Sequence, residues 1–316
     1  MSFGILICIK CSGIHRSLGV HLSKVRSLAL DFWNPEHVEL MKCVGNERSW
    51  NIFEEGYEGY EGSGGIIRAE ADSSQQVKEK WILAKYVNRQ FVKFPGPADL
   101  SEDDRLEYIR TMMWDSLEKD DVVGCLRALA LGALVDDTCE YTLDNEDSAN
   151  DVSETDASEK DNEPLCEFES QVQSALQRAA QLKHWNIVAL LLLWGADAEY
   201  RDSLGRNLIH YLASISDSSI SVLLSVLRKN PSLGGWSDAG GRSPLQYAEE
   251  AENAPVATII RVFQAQVDES SKQRNGNGSG QESPFMTESK TPTNQIATAL
   301  EKVLQLTQRG PFKRKN

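Results

Sequence analysis

Cys8-Ile9-Lys10-Cys11-Ser12-Gly13-Ile14-His15-Arg16-Ser17-Leu18-Gly19-Val20-His21-Leu22-Ser23-Lys24-Val25-Arg26-Ser27-Leu28-Ala29-Leu30-Asp31-Phe32-Trp33 is the stretch on which the reading of this chain turns. Two thiols separated by two residues reach one tetrahedral metal ion when a tight turn places both sulfurs on the same side. Such a pair is half of a zinc site. Five positions past Cys11 stands Arg16, on a segment that a bound metal would hold rigid, followed by Gly19 and a second basic cluster of Lys24 and Arg26.

On either side of this stretch the sequence changes character more than once. Lys24 to Leu30 alternates enough to predict a short strand ending at Asp31. Asn34-Pro35-Glu36 is a helix start, with a capping side chain, a proline at the first helical position and an acid in the first turn. That helix is expected to carry Val38, Met41 and Val44 inward and to stop at Gly45-Asn46, with a second helix bearing Trp50 and Phe53. Glycine and acid dominate Glu54 to Ser74, which predicts a loop. Gln76 to Val92 returns to helical spacing, with Val77, Trp81, Ala84, Val87 and Phe91 on one stripe. Pro95-Gly96-Pro97 ends that helix.

The string CxxCSGxHRxLGVHxSxVRSLxLDxW resembles the zinc-finger core of the ArfGAP domain. Ala84 to Val92 resembles the KYVxRxFV helix near the end of such domains. Two motifs in the family's order imply an ArfGAP domain over residues 1–98. They also imply a small-GTPase partner of the Arf family in its GTP form, and a role in membrane traffic. By resemblance Arg16 is the arginine delivered to the nucleotide, and Cys8 and Cys11 are zinc ligands. A guanidinium suits this role because phosphoryl transfer spreads negative charge over the γ-phosphate, which its planar donors match. The family uses two CxxC pairs, and this sequence carries only the second, so the Zn²⁺ site is expected to be incomplete. His15 and His21 stand near enough for an improvised Cys2His2 site, although the family does not use them as ligands; the other cysteines, Cys43, Cys125, Cys139 and Cys166, are not at ligand spacing.

Past residue 98 the grammar becomes a repeat. Ser174-Ala-Leu-Gln-Arg-Ala179, Asn207-Leu-Ile-His-Tyr-Leu212 and Ser243-Pro-Leu-Gln-Tyr-Ala248 each approximate the TPLHxA signature of ankyrin repeats, and Leu176, Ile209 and Leu245 stand 33 and 36 positions apart. Ile187 to Leu193 is the second helix of one repeat, ending at Gly195-Ala196. Gly132-Ala133 marks the same ending in a degenerate unit over 105–135, and 170–265 holds three fuller repeats. Single units cannot bury their apolar faces alone, so stacking stabilises them. Residues 136–169 are loaded with Asp, Glu and Ser, which predicts an acidic disordered insertion; phosphorylation of Ser148, Ser153 or Ser158 would make it a regulated tether. Residues 266–316 read as a disordered tail, with a short helix over Gln295 to Gln308. The fold expected is therefore mainly α: an ArfGAP domain of small sheet plus helices, then an ankyrin solenoid. This order resembles the ACAP type.

The whole composition narrows the functional classes. Lysine plus arginine number 33 against 47 aspartates and glutamates, a net charge of −14. That opposes general affinity for nucleic acid and argues against reading Cys8 and Cys11 as half of a DNA-binding finger. Six unpatterned cysteines fit a reducing compartment. The apolar opening from Phe3 to Ile7 lacks a basic flank and cleavage site of a secretory signal. Ile187 to Trp194 is too short to cross a bilayer, so direct membrane insertion is not expected. The expected location is cytoplasmic, and peripheral on endosomal or plasma membrane only through partners. Two functions follow. One is an Arf-directed GTPase activator; the alternative is a catalytically impaired ankyrin adaptor, whose partners bind the repeats.

Overall fold

The computed structural model describes residues 1–58, 65–142 and 170–275. Residues 1–94 supply three α-helices: α1 (Ile9–Ser17), α2 (Pro35–Phe53) and α3 (Gln75–Ile82), the last running into a π-helical turn over Leu83–Val87. Four helix pairs follow. They are α4 (Glu102–Glu118) with α5 (Val122–Leu131), α6 (Ala175–Gln181) with α7 (Trp185–Trp194), α8 (Leu208–Ser214) with α9 (Ile220–Lys229), and α10 (Pro244–Glu250) with α11 (Ala254–Asn275). The mainly helical class is as expected.

The helix pairs form where the caps dictate. Ser174 and Asn207 each accept from the backbone of the first turn while Gln177 and His210 return a bond to the cap backbone; Ser243 and Gln246 repeat the arrangement. These reciprocal boxes satisfy donors that a helix start leaves open. At the other end, α5 and α7 stop at Gly132 and Gly195, with φ of 112° and 100°. Only glycine adopts that left-handed conformation without strain, so Gly132 and Gly195 close the second helices as the sequence suggested.

One sheet is present among the described residues, and it is not where the sequence placed it. β1 (Thr138–Thr142) and β2 (Ser170–Ser174) pair antiparallel, Thr142 facing Ser170. They flank the acidic stretch, so the small sheet belongs to the repeat region and not to residues 1–98. Lys24–Leu30 is irregular chain that ends in a turn over 28–30 instead. Ser27 explains it: its amide donates to Asp31 Oδ2 at 2.6 Å, its hydroxyl accepts from Ala29 and Leu30 amides at 3.3 and 3.2 Å, and its carbonyl accepts from Trp33 Nε1 at 3.0 Å. Side chains that bond nearby backbone in this way displace a strand ladder.

Two further corrections follow from geometry. Gly45 does not end a helix but kinks it, with φ 68° and ψ 171° inside α2. Within α2, Leu40, Val44, Ile52 and Phe53 are buried, whereas Val38, expected inward, and Trp50 are 36% and 44% exposed. The last helix of the first region ends at Val87, not Val92; Asn88 donates back to Leu83 O in the wide-turn pattern, and Arg89 reverses the chain at φ 52°. Phe91 remains fully buried, in a separate small cluster with Trp81 and Ala84. The expected loop over Glu54–Ser74 lies partly outside the described residues, since 59–64 are not described; so do most of the acidic insertion with Ser148, Ser153 and Ser158, the proposed helix over Gln295–Gln308, and most of the tail.

The main apolar core runs from Phe3 to Phe263 and joins the first region to the helix pairs. Phe3 sits at the junction, stacked on Tyr86 at 4.4 Å and edge-on to Phe53 and Trp194 at 5.4 and 6.1 Å. Such offset and edge-on aromatic pairs are worth about 1 kcal/mol each beyond burial. α2 packs across α5 and α7, which fixes the orientation of the whole amino-terminal region.

Candidate functional site

Arg16 is placed by its neighbour. His15 is buried on the inner face of α1, its Nδ1 lying 3.0 Å from Ser23 Oγ and its ring 5.2 Å from that of Tyr86. Burial holds its pKa down to about 4, so the ring is neutral and acts as a packing group rather than a base. One residue on, Arg16 turns outward. It is exposed and makes no ion pair or side-chain hydrogen bond to any described residue. α1 ends directly after it, where the Leu18 and Gly19 amides bond back to His15 O and Arg16 O at 3.3 and 3.2 Å.

Apolar side chains stand beside this guanidinium: Leu6, Ile9 and Leu28, which are 56%, 86% and 70% exposed, line a cavity with it. The cavity, of about 310 Å³, is shared with Ser12 and Trp33. Val20, Leu30 and Phe32 are exposed elsewhere in the segments that follow α1. Exposed apolar side chains grouped in this way mark a protein-binding surface.

Cys8 and Cys11 begin the same helix. Cys8 is the cap residue, and its sulfur accepts from the Cys11 amide at 3.5 Å. That amide, with lesser help from the Cys11 thiol, draws the Cys8 pKa down, whereas burial pushes that of Cys11 up. Lys10 is exposed. Lys24 is not the solvated charge that its place in the sequence allows: it is partly buried, and its ammonium donates to Leu192 O at 2.9 Å. Arg26 bonds Phe32 O. Asp31 caps the Ser27 turn, and Trp33 is partly buried behind it.

The ArfGap family, described as GTPase activating proteins for Arf, matches residues 1–94. Residues 1–94 form an ArfGap domain. Over 93 residues the chain is 50% identical to the human Arf-GAP with coiled-coil, ANK repeat and PH domain-containing protein 3, covering 29% of this chain and 11% of that protein. A longer match, 32% identical over 270 residues, joins 78% of this chain to 33% of the rabbit Arf-GAP with coiled-coil, ANK repeat and PH domain-containing protein 2. The ADP-ribosylation factor GTPase-activating protein AGD4 of Arabidopsis thaliana is 29% identical over 276 residues, covering 79% of this chain and 34% of its own length. The chain thus spans about a third of the length of the relatives that match it most fully.

ArfGap domains are zinc-finger domains, and the donors present can be tested against such an ion. No group of three His, Cys, Asp or Glu side chains among the described residues converges as ligands. His15 is committed to Ser23, His21 is exposed, Cys43 lies on α2 with its sulfur 3.9 Å from Asn186 Nδ2, and Cys125 is buried in the helix pairs. Cys8 and Cys11 therefore do not by themselves fit a closed four-coordinate zinc, which needs two more ligands than the described ArfGap residues offer. The improvised Cys2His2 arrangement is not formed.

Proposed function

We propose that this chain activates GTP hydrolysis by an Arf-family GTPase, with Arg16 supplied in trans to the bound nucleotide. The observation that carries the reading is the juxtaposition at the end of α1: an unpaired, exposed guanidinium one residue from a buried anchor, sharing a cavity with the exposed side chains of Leu6, Ile9 and Leu28. These apolar side chains give a partner something to bury, and their burial would desolvate the arginine, strengthening its attraction to the charge that develops on the γ-phosphate. Arginines delivered in trans are worth roughly 10³ to 10⁵ in rate. The activity belongs to the GTPase; this chain turns over no substrate of its own.

The domain arrangement proposed with it is an ArfGap domain over 1–98, a degenerate ankyrin unit over 105–135, an acidic insertion over 136–169, three repeats over 170–265 and a tail over 266–316. The repeats would present a further protein-binding surface, and membrane attachment, endosomal or plasma, would come through partners.

A second reading, an ankyrin adaptor without activity, is favoured by one observation: the described residues supply two zinc ligands where a closed site needs four. Single-turnover hydrolysis of GTP on a myristoylated Arf separates the two. The activator reading expects acceleration by this chain that falls by about 10³ in Arg16→Lys, in line with the worth of such arginines, with an unchanged melting temperature. Equal turnover with the chain, with the variant and with neither leaves the adaptor.

A further inference from the structure

A cleft of about 840 Å³ opens between the ArfGap domain and the second helices of the repeats. Its size is that of a small-molecule site. From the ArfGap side it is lined by Lys24, Arg26 and His37, and from the last turn of α9 by Arg228 and Lys229. None of these four lysines and arginines forms an ion pair with a described residue, although lysines and arginines form such pairs elsewhere among the described residues.

Three carboxylates share the cleft, and each is engaged by uncharged donors. Glu36 accepts from the hydroxyls of Ser219 and Ser221; Asp197 accepts from the Glu199 amide at 2.8 Å; Glu199 accepts from Asn230 Nδ2 at 2.7 Å. Lys24 and Arg26 donate only to the neutral carbonyls of Leu192 and Phe32, so among the described residues no carboxylate neutralises the cations of the cleft. Lys24 shows the strain of it: burial first, then the neighbouring Lys229, hold its pKa down to about 8. His37, at the start of α2, keeps a buried Nδ1 with no hydrogen-bond partner among the described residues. A protein with net charge −14 that gathers unpaired cations and an unsatisfied ring nitrogen into one cleft has built a place for negative charge.

We infer that this cleft binds a small, multiply phosphorylated ligand that bridges the ArfGap domain and the repeat helices. Phosphate oxygens accept from Lys24, Arg26, Arg228 and Lys229 at once, while single carboxylates cannot span both walls. A ligand held this way ties the platform carrying Arg16 to the repeats, so its binding stabilises the whole chain.

The test uses the full chain and inositol hexakisphosphate as probe, read by calorimetry and by thermal shift at near-physiological salt. The expected result is saturable binding with a raised melting temperature, weakened roughly tenfold or more by Arg228→Ala/Lys229→Ala, since two charge-assisted contacts are lost. Both residues are exposed and unpaired, so the double variant without probe should melt with the parent. A charge-matched control, Lys42→Ala/Lys119→Ala, should bind as the parent does. No saturable binding, or equal weakening in the control, overturns the inference. Vesicles bearing a phosphoinositide identify the source: sedimentation of the chain that is lost in Arg228→Ala/Lys229→Ala assigns a lipid headgroup, and binding of the free probe alone assigns a soluble polyphosphate.

Discussion

The ammonium of Lys24 donates to the carbonyl oxygen of Leu192 at 2.9 Å, across 168 positions of chain. Leu192 lies in the last turn of α7, whose carbonyls have no partner within the helix and carry the negative end of its dipole. Arg89 does the same for α5, reaching Leu129 O and Ala130 O at 3.0 and 3.4 Å with its guanidinium 5.3 Å from the Trp194 ring. Two cations of the ArfGap domain thus cap two helices of the repeat region. Replacing Lys24 by Ala should lower unfolding free energy by about 1–2 kcal/mol, and Arg89→Ala by a similar amount. Denaturant titration checks this; a melting curve that splits into two steps in Lys24→Ala/Arg89→Ala would show that these caps hold the two regions together as one cooperative unit.

His15 gives the fold a dependence on acid. Its folded pKa of about 4 lies below the ordinary value of 6.5, so between those limits the unfolded chain binds a proton that the folded chain does not. Stability should be full above pH 6.5, fall as the pH is lowered through that window, and lose no more on this account below about 4; the total is on the order of 3 kcal/mol. Urea unfolding across pH 4 to 7 measures it. His15→Phe should flatten that part of the profile.

Gly4 tests how tightly the amino-terminal strand of residues sits on α2. It has φ +67°, and a Cβ there would stand 2.4 Å from Val44 Cγ1. Gly4→Ala is therefore strained in backbone and in space, and should cost about 1–3 kcal/mol. Val44→Ala removes only the γ-methyls and keeps the Cβ, which would itself stand 2.5 Å away, so the double variant should remain strained in space as well as in backbone.

The repeats share an internal lock that was not read from the sequence: Asp202, Arg206 and Tyr211 recur as Asp238, Arg242 and Tyr247. Asp202 accepts from the Leu204 and Arg206 amides, from Arg206 Nε and from Tyr211 OH at 2.6 to 2.9 Å, with its side chain fully buried. Asp238 holds the Arg242 amide and Tyr247 OH at 2.8 and 2.7 Å, but its arginine contact is looser, at 3.5 Å. Asp202→Ala should cost about 3–5 kcal/mol, because it strands buried donors, and Asp238→Ala distinctly less. Thermal melts of the two variants rank them.

What could be read in advance was local. Asn34-Pro35 announced a helix start through its proline, although Asn34 makes no capping side-chain bond, and the ankyrin-like signatures opening at Ser174, Asn207 and Ser243 lie at helix starts where these residues form capping boxes. Gly132 and Gly195 announced ends because a helix end and the glycine that closes it are neighbours in sequence. What was missed depends on a single residue redirecting its surroundings or on distant partners. Ser27 turns an alternating segment into a loop, Gly45 continues a helix that glycine usually stops, and Lys24 meets Leu192 only after folding. Within the site, Arg16 and the cysteine pair were visible as a motif. The anchoring of α1 by His15 on Ser23 and the exposed apolar side chains beside Arg16 were not, since both arise from which face of each element is covered.

The pairing of Thr142 with Ser170 has an evolutionary consequence. Whatever lies between them leaves and rejoins the stack at the same rung, so its length and composition can drift without moving a single repeat helix. Closing such an excursion costs only about 0.6 kcal/mol for each doubling of its length. This position is therefore the natural port through which the molecule acquires new sequence, and the one where a reporter or a foreign domain can be spliced in while the platform behind Arg16 stays as it is.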